Sequence, residues 1–281
     1  MRHQDGVMRA HAFLLGLLAA SCGSPSSIHT SAEPGSVEIE TGSENLEGVA
    51  RGFPAMRDLA GKTLAAGEFT QRLEGDRLHV RIRYDFGPDR WVEETAVIRQ
   101  RPKLVQERWS WTESRGGLVH RRFEIDFLAG LATAEKRHGD EVRRWSEPVD
   151  AAPGVAFAGS AWALAIRGLR DRLLAGETIA LRTVGFTPAP KAATVEITHD
   201  GVDRLPISGR SLLGDRFRIH PRIPWIARAF VDVPDSRIWL TSPAPAAFLR
   251  FEGPLAEPDD PIVRVDLLPG DPSGPAAPAK P

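Results

Sequence analysis

The sequence predicts an α+β fold that is mainly antiparallel β: a curved half-barrel sheet, built as two meanders, packed on one amphipathic helix. Three observations predict it. Leu78, Val80, Ile82 and Tyr84 alternate with His79, Arg81, Arg83 and Asp85, the period of two that places one apolar face on a core. Turn-forming residues interrupt the chain at short intervals after that. A single stretch then switches to the helical period before strands resume.

Taken in order, the chain opens with the basic residues Arg2, His3 and Arg9, followed by the apolar run Phe13-Leu14-Leu15-Gly16-Leu17-Leu18-Ala19-Ala20. That run is too short to span a bilayer, so residues 1–21 read as a targeting leader. Residues 22–47 are rich in Ser, Gly, Glu and Thr and are expected to form a flexible spacer. One β-rich domain is expected over 48–268, and the Pro/Gly/Ala-rich segment 269–281 reads as a disordered tail.

Within the domain, Glu68 to Trp145 reads as an antiparallel meander. Its turns are expected at Glu74-Gly75-Asp76, Gly87-Pro88-Asp89, Arg101-Pro102-Lys103, Gly116-Gly117 and His138-Gly139-Asp140. Val119, Arg121, Phe123, Ile125 and Phe127 share one strand face, opposite His120, Arg122, Glu124 and Asp126. The helix is expected from Gly159 to Ala175, with Trp162, Ile166, Leu169 and Leu173 as its apolar stripe, Ser160 as its amino-terminal cap and Gly176 as its stop. The second meander comprises Ile179–Phe186, then Thr194–Thr198 and Val202–Ile207 around a turn at His199-Asp200-Gly201. Ile238–Thr241, Phe248–Phe251 and Ile262–Leu267 complete it.

Two resemblances add to this. Leu18-Ala19-Ala20-Ser21-Cys22 resembles a bacterial lipobox, which implies cleavage before Cys22 and acylation (palmitate) of that cysteine, the only one in the chain. The absence of an aspartate after Cys22 implies delivery to the outer membrane, with the domain facing the periplasm. The order of meander, helix and meander resembles the half-barrel of LolA-like lipoprotein carriers and uncharacterised periplasmic β-rich families. There the runs Ser236-Arg237-Ile238-Trp239-Leu240-Thr241-Ser242-Pro243 and Ala247-Phe248-Leu249-Arg250-Phe251-Glu252-Gly253-Pro254-Leu255 look like closing strands. This implies a concave apolar face able to hold a lipid or an apolar segment.

Composition narrows the function classes. With 42% apolar residues, 26% charged residues and a net charge of −1, the chain carries no field that would gather nucleic acid, and no nucleic-acid partner is expected. Loops of the Walker or dinucleotide-binding type are absent, so no nucleotide is expected either. A serine nucleophile lacks its Gly-x-Ser-x-Gly context, Ser160 and Ser211 being better placed as a cap and a turn residue. The histidines are scattered, without zinc spacing. His79, His120, Glu124 and Asp126 could still meet on one polar face if their strands were neighbours. Paired carboxylates among Glu93, Glu94, Glu107, Glu124 and Asp126 would suit glycoside hydrolysis only at a defined separation. No catalytic residue, cofactor or metal is therefore assigned.

The candidate ligand-binding residues are aromatic and basic. Trp109 and Trp111 share a strand face with Val105 and, with Trp162, line either the core or a ligand groove. Arg216, Arg218, Arg222 and Trp225 lie in the Arg-rich stretch Arg210 to Phe230, which reads either as a basic rim for anionic lipid or as a strand whose arginines pair with Asp215, Asp232 and Asp235. The expected function is that of a membrane-anchored, non-enzymatic lipoprotein of the cell envelope binding a lipid, acyl chain or apolar protein segment. The alternatives are an envelope hydrolase using the carboxylate and histidine face, and an outer-membrane assembly factor presenting a strand edge.

Overall fold

The computed structural model describes residues 37–42, 45–207, 209–222 and 233–266. The leader, Cys22, Trp225, Asp232 and the tail lie outside the described residues. Nine strands precede the helix: β1 (Ala50–Gly52), β2 (Ala55–Arg57), β3 (Thr63–Glu74), β4 (Arg77–Asp85), β5 (Arg90–Arg99), β6 (Val105–Arg115), β7 (Leu118–Asp126), β8 (Leu131–His138) and β9 (Glu141–Pro148). After α1 (Ala161–Leu174) come β10 (Ile179–Gly185), β11 (Lys191–Ile207), β12 (Arg210–Arg222), β13 (Ser236–Thr241), β14 (Phe248–Pro254) and β15 (Ile262–Asp266).

All fifteen strands form one sheet, ordered β10-β11-β12-β13-β14-β15-β2-β3-β4-β5-β6-β7-β8-β9, with β1 pairing with β3 off that path. Every ladder between the strands is antiparallel, and the sheet is open. Its two meanders are joined where the last strand meets the second, Val265 opposite Met56 and Asp266 opposite Ala55. A sheet this wide twists and curls. Leu78, Val80, Ala96 and Ile98 of the first meander share one core with Leu181, Ile197, Phe217 and Ile238 of the second, and α1 lies among them. The inner face therefore wraps around the helix.

The helix forms where the sequence places it. Trp162, Ala165, Ile166, Leu169 and Leu173 are buried, and Gly168 leaves room for Ile39, whose Cγ2 would stand 2.5 Å from a Cβ at that glycine. Its carboxyl end is a Schellman turn at Gly176 (φ +91), with the N–H of Gly176 donating to Leu173 O and that of Glu177 to Arg172 O. Arg170, on the flank, donates to the buried Asp215 carboxylate at 2.5 Å.

Several expectations need correction. Of the spacer expected over 22–47, described residues pack on the domain: Ile39 is in the core, Leu104 donates its N–H to Ile39 O, and the Glu47 carboxylate meets Arg167. His199-Asp200-Gly201 is not a turn but a bulge inside the single long strand β11, with Gly201 at φ +130. The extra residue bends the β11–β12 hairpin, and Leu205, Ile207 and Leu212 pack with Trp239 and Leu249 in a small core of their own. A further bulge falls at Glu107, because Val97 pairs with Arg108 while Ile98 pairs with Gln106. It shifts the alternation by one residue, so Gln106, rather than Val105, shares the inner face with Trp109 and Trp111.

The aromatic inner face as a candidate functional site

Four aromatic rings form a continuous row on the inner face between β6, β7 and the end of β10. Trp109 stacks on Phe186 with centroids 5.8 Å apart, Phe186 on Phe123 at 4.7 Å, and Phe123 on Trp111 at 5.4 Å. They are there because strand alternation aims residues 109, 111 and 123 at the same side, and because residues 149–158 bring Val149, Ala151, Ala156 and Ala158 against them. Trp111 is 4% exposed, whereas Trp109 is half-buried and touches both the helix core and the aromatic row. Trp162 belongs to the helix core, tilted against Phe157 at 6.0 Å.

Gln106 positions the neighbouring corner. Fully buried, its side chain accepts the Ala158 N–H at 2.7 Å and donates to Ala158 O at 3.1 Å, so one amide replaces two backbone bonds of a strand. This fixes Gly159 and Ser160 over Glu94. The Ser160 N–H donates to Glu94 Oε1 at 2.6 Å. Ser160 occupies the N-cap position as expected, but its hydroxyl makes no capping bond; Glu94 caps the helix instead.

Burial pushes the Glu94 carboxyl above the usual carboxylate range, opposed by the Ser160 N–H and hydroxyl and the Trp109 indole. The hydroxyl and the indole N–H are buried, and neither makes a hydrogen bond of full geometry.

Cations cover the other end of the row. Arg121 faces inward from β7 between apolar residues, 5.1 Å from the Trp111 ring, and Lys136 from β8 lies 5.5 Å from Phe123 and 5.8 Å from Trp145. Such contacts favour a cation over a ring face. Arg121 donates to Glu113 Oε2 at 2.9 Å, to Glu257 Oε2 at 3.0 Å and to Asp260 Oδ2 at 2.9 Å. Lys136 donates to Phe186 O at 2.6 Å and to Glu257 Oε1 at 2.5 Å. Burial alone would raise the Glu113 and Glu257 carboxyls, but Arg121 and Arg115 at the first, and Lys136, Arg121 and Thr187 at the second, hold both below the usual range. Burial likewise opposes the charge on Arg121, and Asp260, Glu113 and Glu257 together outweigh it, raising its pKa.

The predicted basic residues lie elsewhere. On β12, Asp215, Phe217 and Ile219 are buried inward, so alternation puts Arg216, Arg218 and Arg222 on the outer face. Arg216 is paired with Asp200 at 3.1 Å and Asp203 at 2.7 Å, Arg218 lies 3.8 Å from Asp235, and Arg222 meets Glu196. The described arginines thus belong to a paired strand surface, not to a rim beside the tryptophans, and Asp215 pairs with Arg170 rather than with any of them.

The polar face also separates. His79 is on β4 and His120 on β7, with β5 and β6 between them, a spacing of about 14 Å at 4.8 Å per strand. Glu93 is committed to Arg81 at 2.6 Å and Glu107 to Arg77 at 2.9 Å, while Glu94 faces the opposite side. Among the described residues no group of three or more His, Cys, Asp or Glu is placed to hold a metal ion, and no helix is long and apolar enough to cross a membrane.

Sequence reasoning missed Gln106, Lys136, Glu257 and Asp260. Arg121 carried a signal, being the one charge at an inward position of an otherwise apolar alternation; Glu257 and Asp260 lie 136 and 139 residues away from it, and no local pattern connects them. Compared with family models, curated proteins and solved structures, the chain matches none of them.

Proposed function

We propose that this chain is a non-enzymatic, membrane-anchored lipoprotein of the bacterial cell envelope that binds a lipid, an acyl chain or an apolar protein segment on the inner face of its sheet. The observation that carries the reading is the aromatic row Trp109, Phe186, Phe123 and Trp111. It offers a line of apolar area with few convergent polar groups, the usual make-up of an apolar ligand site. Entry requires the 149–158 segment, or the turn after β14, to yield, because these now cover the row.

The anchor rests on the apolar run ending at Cys22, and the carrier-like reading on the order of meander, helix and meander. Each acyl methylene buried in a membrane contributes about 0.8 kcal/mol, and several chains hold a protein durably. Cys22→Ser should leave the domain folded and move it from the membrane to the soluble fraction; continued retention in membranes would overturn the anchor. The binding reading is tested by native mass spectrometry with lipid extraction on the full chain purified from envelope membranes. A co-purifying acyl species lost in a Trp111→Ala variant supports it, and a ligand-free mass that stays unchanged after incubation with envelope lipids overturns it.

A second reading has one observation of its own. β9 ends the sheet and pairs only with β8 among the described strands, whereas the β10 edge is covered by Val155 to Phe157. An assembly role would use the β9 edge to add a partner strand. Cross-linking from Arg144 would trap such a partner.

A further inference from the structure

We propose that Arg121 and Lys136 form the head-group site for a long-chain acyl carboxylate, and that Glu257 and Asp260 hold this site from within the chain as its built-in competitor. The inference rests on the binding reading above and specifies its ligand.

The segment between β14 and β15 is the chemical image of such an amphiphile. Leu255 and Ala256 pack on the aromatic cluster, and two of the three acidic residues that follow, Glu257 and Asp260, place their carboxylates on Arg121 and Lys136. A fatty acid would present the same sequence of chemistry, an apolar chain on stacked rings ending in a carboxylate between two cations.

The segment is also built to move as a unit. Asp260 Oδ2 accepts the N–H groups of Ala256 and Glu257, at 3.1 and 2.9 Å, and Leu255 N–H donates to Pro261 O. The turn therefore satisfies its own backbone, and charged side chains supply its hydrogen bonds to β7 and β8. If it lifts, Arg121 keeps Glu113 and Lys136 keeps Phe186 O. Both retain donors for a new anion, in a patch where Arg90 and Arg115 also lean on Glu113. Two carboxylates leave and one enters, but Glu113 stays on Arg121, so Arg121 and Lys136 still face two carboxylates and neither cation is stranded in the low-dielectric interior.

The test uses the full chain, followed by tryptophan fluorescence, with oleate, oleyl alcohol and acetate as probes at submicellar concentrations. Oleate should bind about tenfold or more tightly than oleyl alcohol, with acetate far weaker. Lys136→Gln should abolish the preference for oleate over the alcohol. Glu257→Gln with Asp260→Asn should strengthen oleate binding by about tenfold, because it removes the fraction of molecules in which the site is self-occupied. Equal affinity for oleate and oleyl alcohol in the unaltered protein would overturn the head-group site while leaving the apolar binding reading intact. No binding of either long-chain probe would overturn both. The comparison of the two probes on the unaltered protein decides the matter even where the double variant fails to fold.

Discussion

Glu94 on β5 accepts the backbone N–H of Ser160 at 2.6 Å, so a carboxyl group from the middle of the sheet closes the amino end of α1. The first turn of that helix holds no acidic residue, and its unpaired N–H groups and positive dipole end call for one. The sheet supplies it. This joins the orientation of the helix to the register of β5 and β6, since Gln106 on the neighbouring strand holds Ala158 just upstream.

Gly159 is the most constrained position at that junction. Its φ is +56, and a Cβ there would stand 2.2 Å from Glu94 Oε1 and 2.3 Å from Trp109 Nε1. Gly159→Ala should destabilise by more than the roughly 1–2 kcal/mol of left-handed strain alone. Gly176→Ala, at φ +91 with open space around it, should cost only the strain. Equal melting temperatures for the two variants would show that the packing at Gly159 yields freely.

Glu94 should give a pH signature. Its folded pKa is raised above the unfolded value of about 4.3. Ionisation therefore costs nothing below about pH 4, begins to cost as the unfolded chain ionises first, and reaches its full cost above the folded pKa. Glu94→Gln keeps an oxygen for the Ser160 N–H and removes that cost. Its stability relative to the unaltered protein should rise from pH 4 to pH 8 in denaturant titrations; a difference that is flat or falls with pH would contradict the burial argument.

Glu113 and Glu257 work in the opposite sense. Their folded pKa values are depressed, so their stabilisation is present above about pH 4.3 and is lost as the pH falls through the folded values. Glu113→Gln should leave Arg121 short of a partner at neutral pH and destabilise by about 3 kcal/mol. The penalty of the same variant should shrink as the pH falls below about 4.3, which chemical denaturation over a series of acidic pH values measures.

Gln106→Leu should cost about 2 kcal/mol or more, because the N–H and C=O of Ala158 would be left buried without partners. Trp111→Ala should cost about 3–5 kcal/mol as a buried ring lost from the stack. Trp91 lies under Arg83 at 4.5 Å, and Trp91→Ala should cost about 1 kcal/mol. Comparable losses at the two tryptophans would show that the row is not a packed core.

What could be read from the sequence was set by local periodicity. The alternation at Leu78 to Tyr84 and the stripe from Trp162 to Leu173 each declare their own face, and glycines such as Gly75, Gly116 and Gly139, all at positive φ, mark the hairpin turns. The bulges at Asp200 and Glu107 could not be read. Asp200 looked like turn chemistry, and nothing in Val105-Gln106-Glu107-Arg108 announces the extra residue that turns Gln106 inward. The link between Trp109 and Phe123 was equally hidden, because Phe186, which stacks on both, reaches them only after the sheet has curled. The cation site depends on residues more than a hundred positions apart, a relation that belongs to topology alone.

The ladder between β15 and β2 has three residue pairs, Arg264 with Arg57, Val265 with Met56 and Asp266 with Ala55, as has the adjacent β2·β3, while β3·β4 beyond it has nine. Among the described residues it is the only ladder between the two meanders along the sheet path. The protein is therefore two leaves of one book bound along a short spine, with α1 pressed between the pages and the Arg121 ties to Glu257 and Asp260 acting as a clasp. A chain ending before β15 would keep most of its ladders yet lose the binding, leaving two free edges at the centre of what had been a continuous sheet.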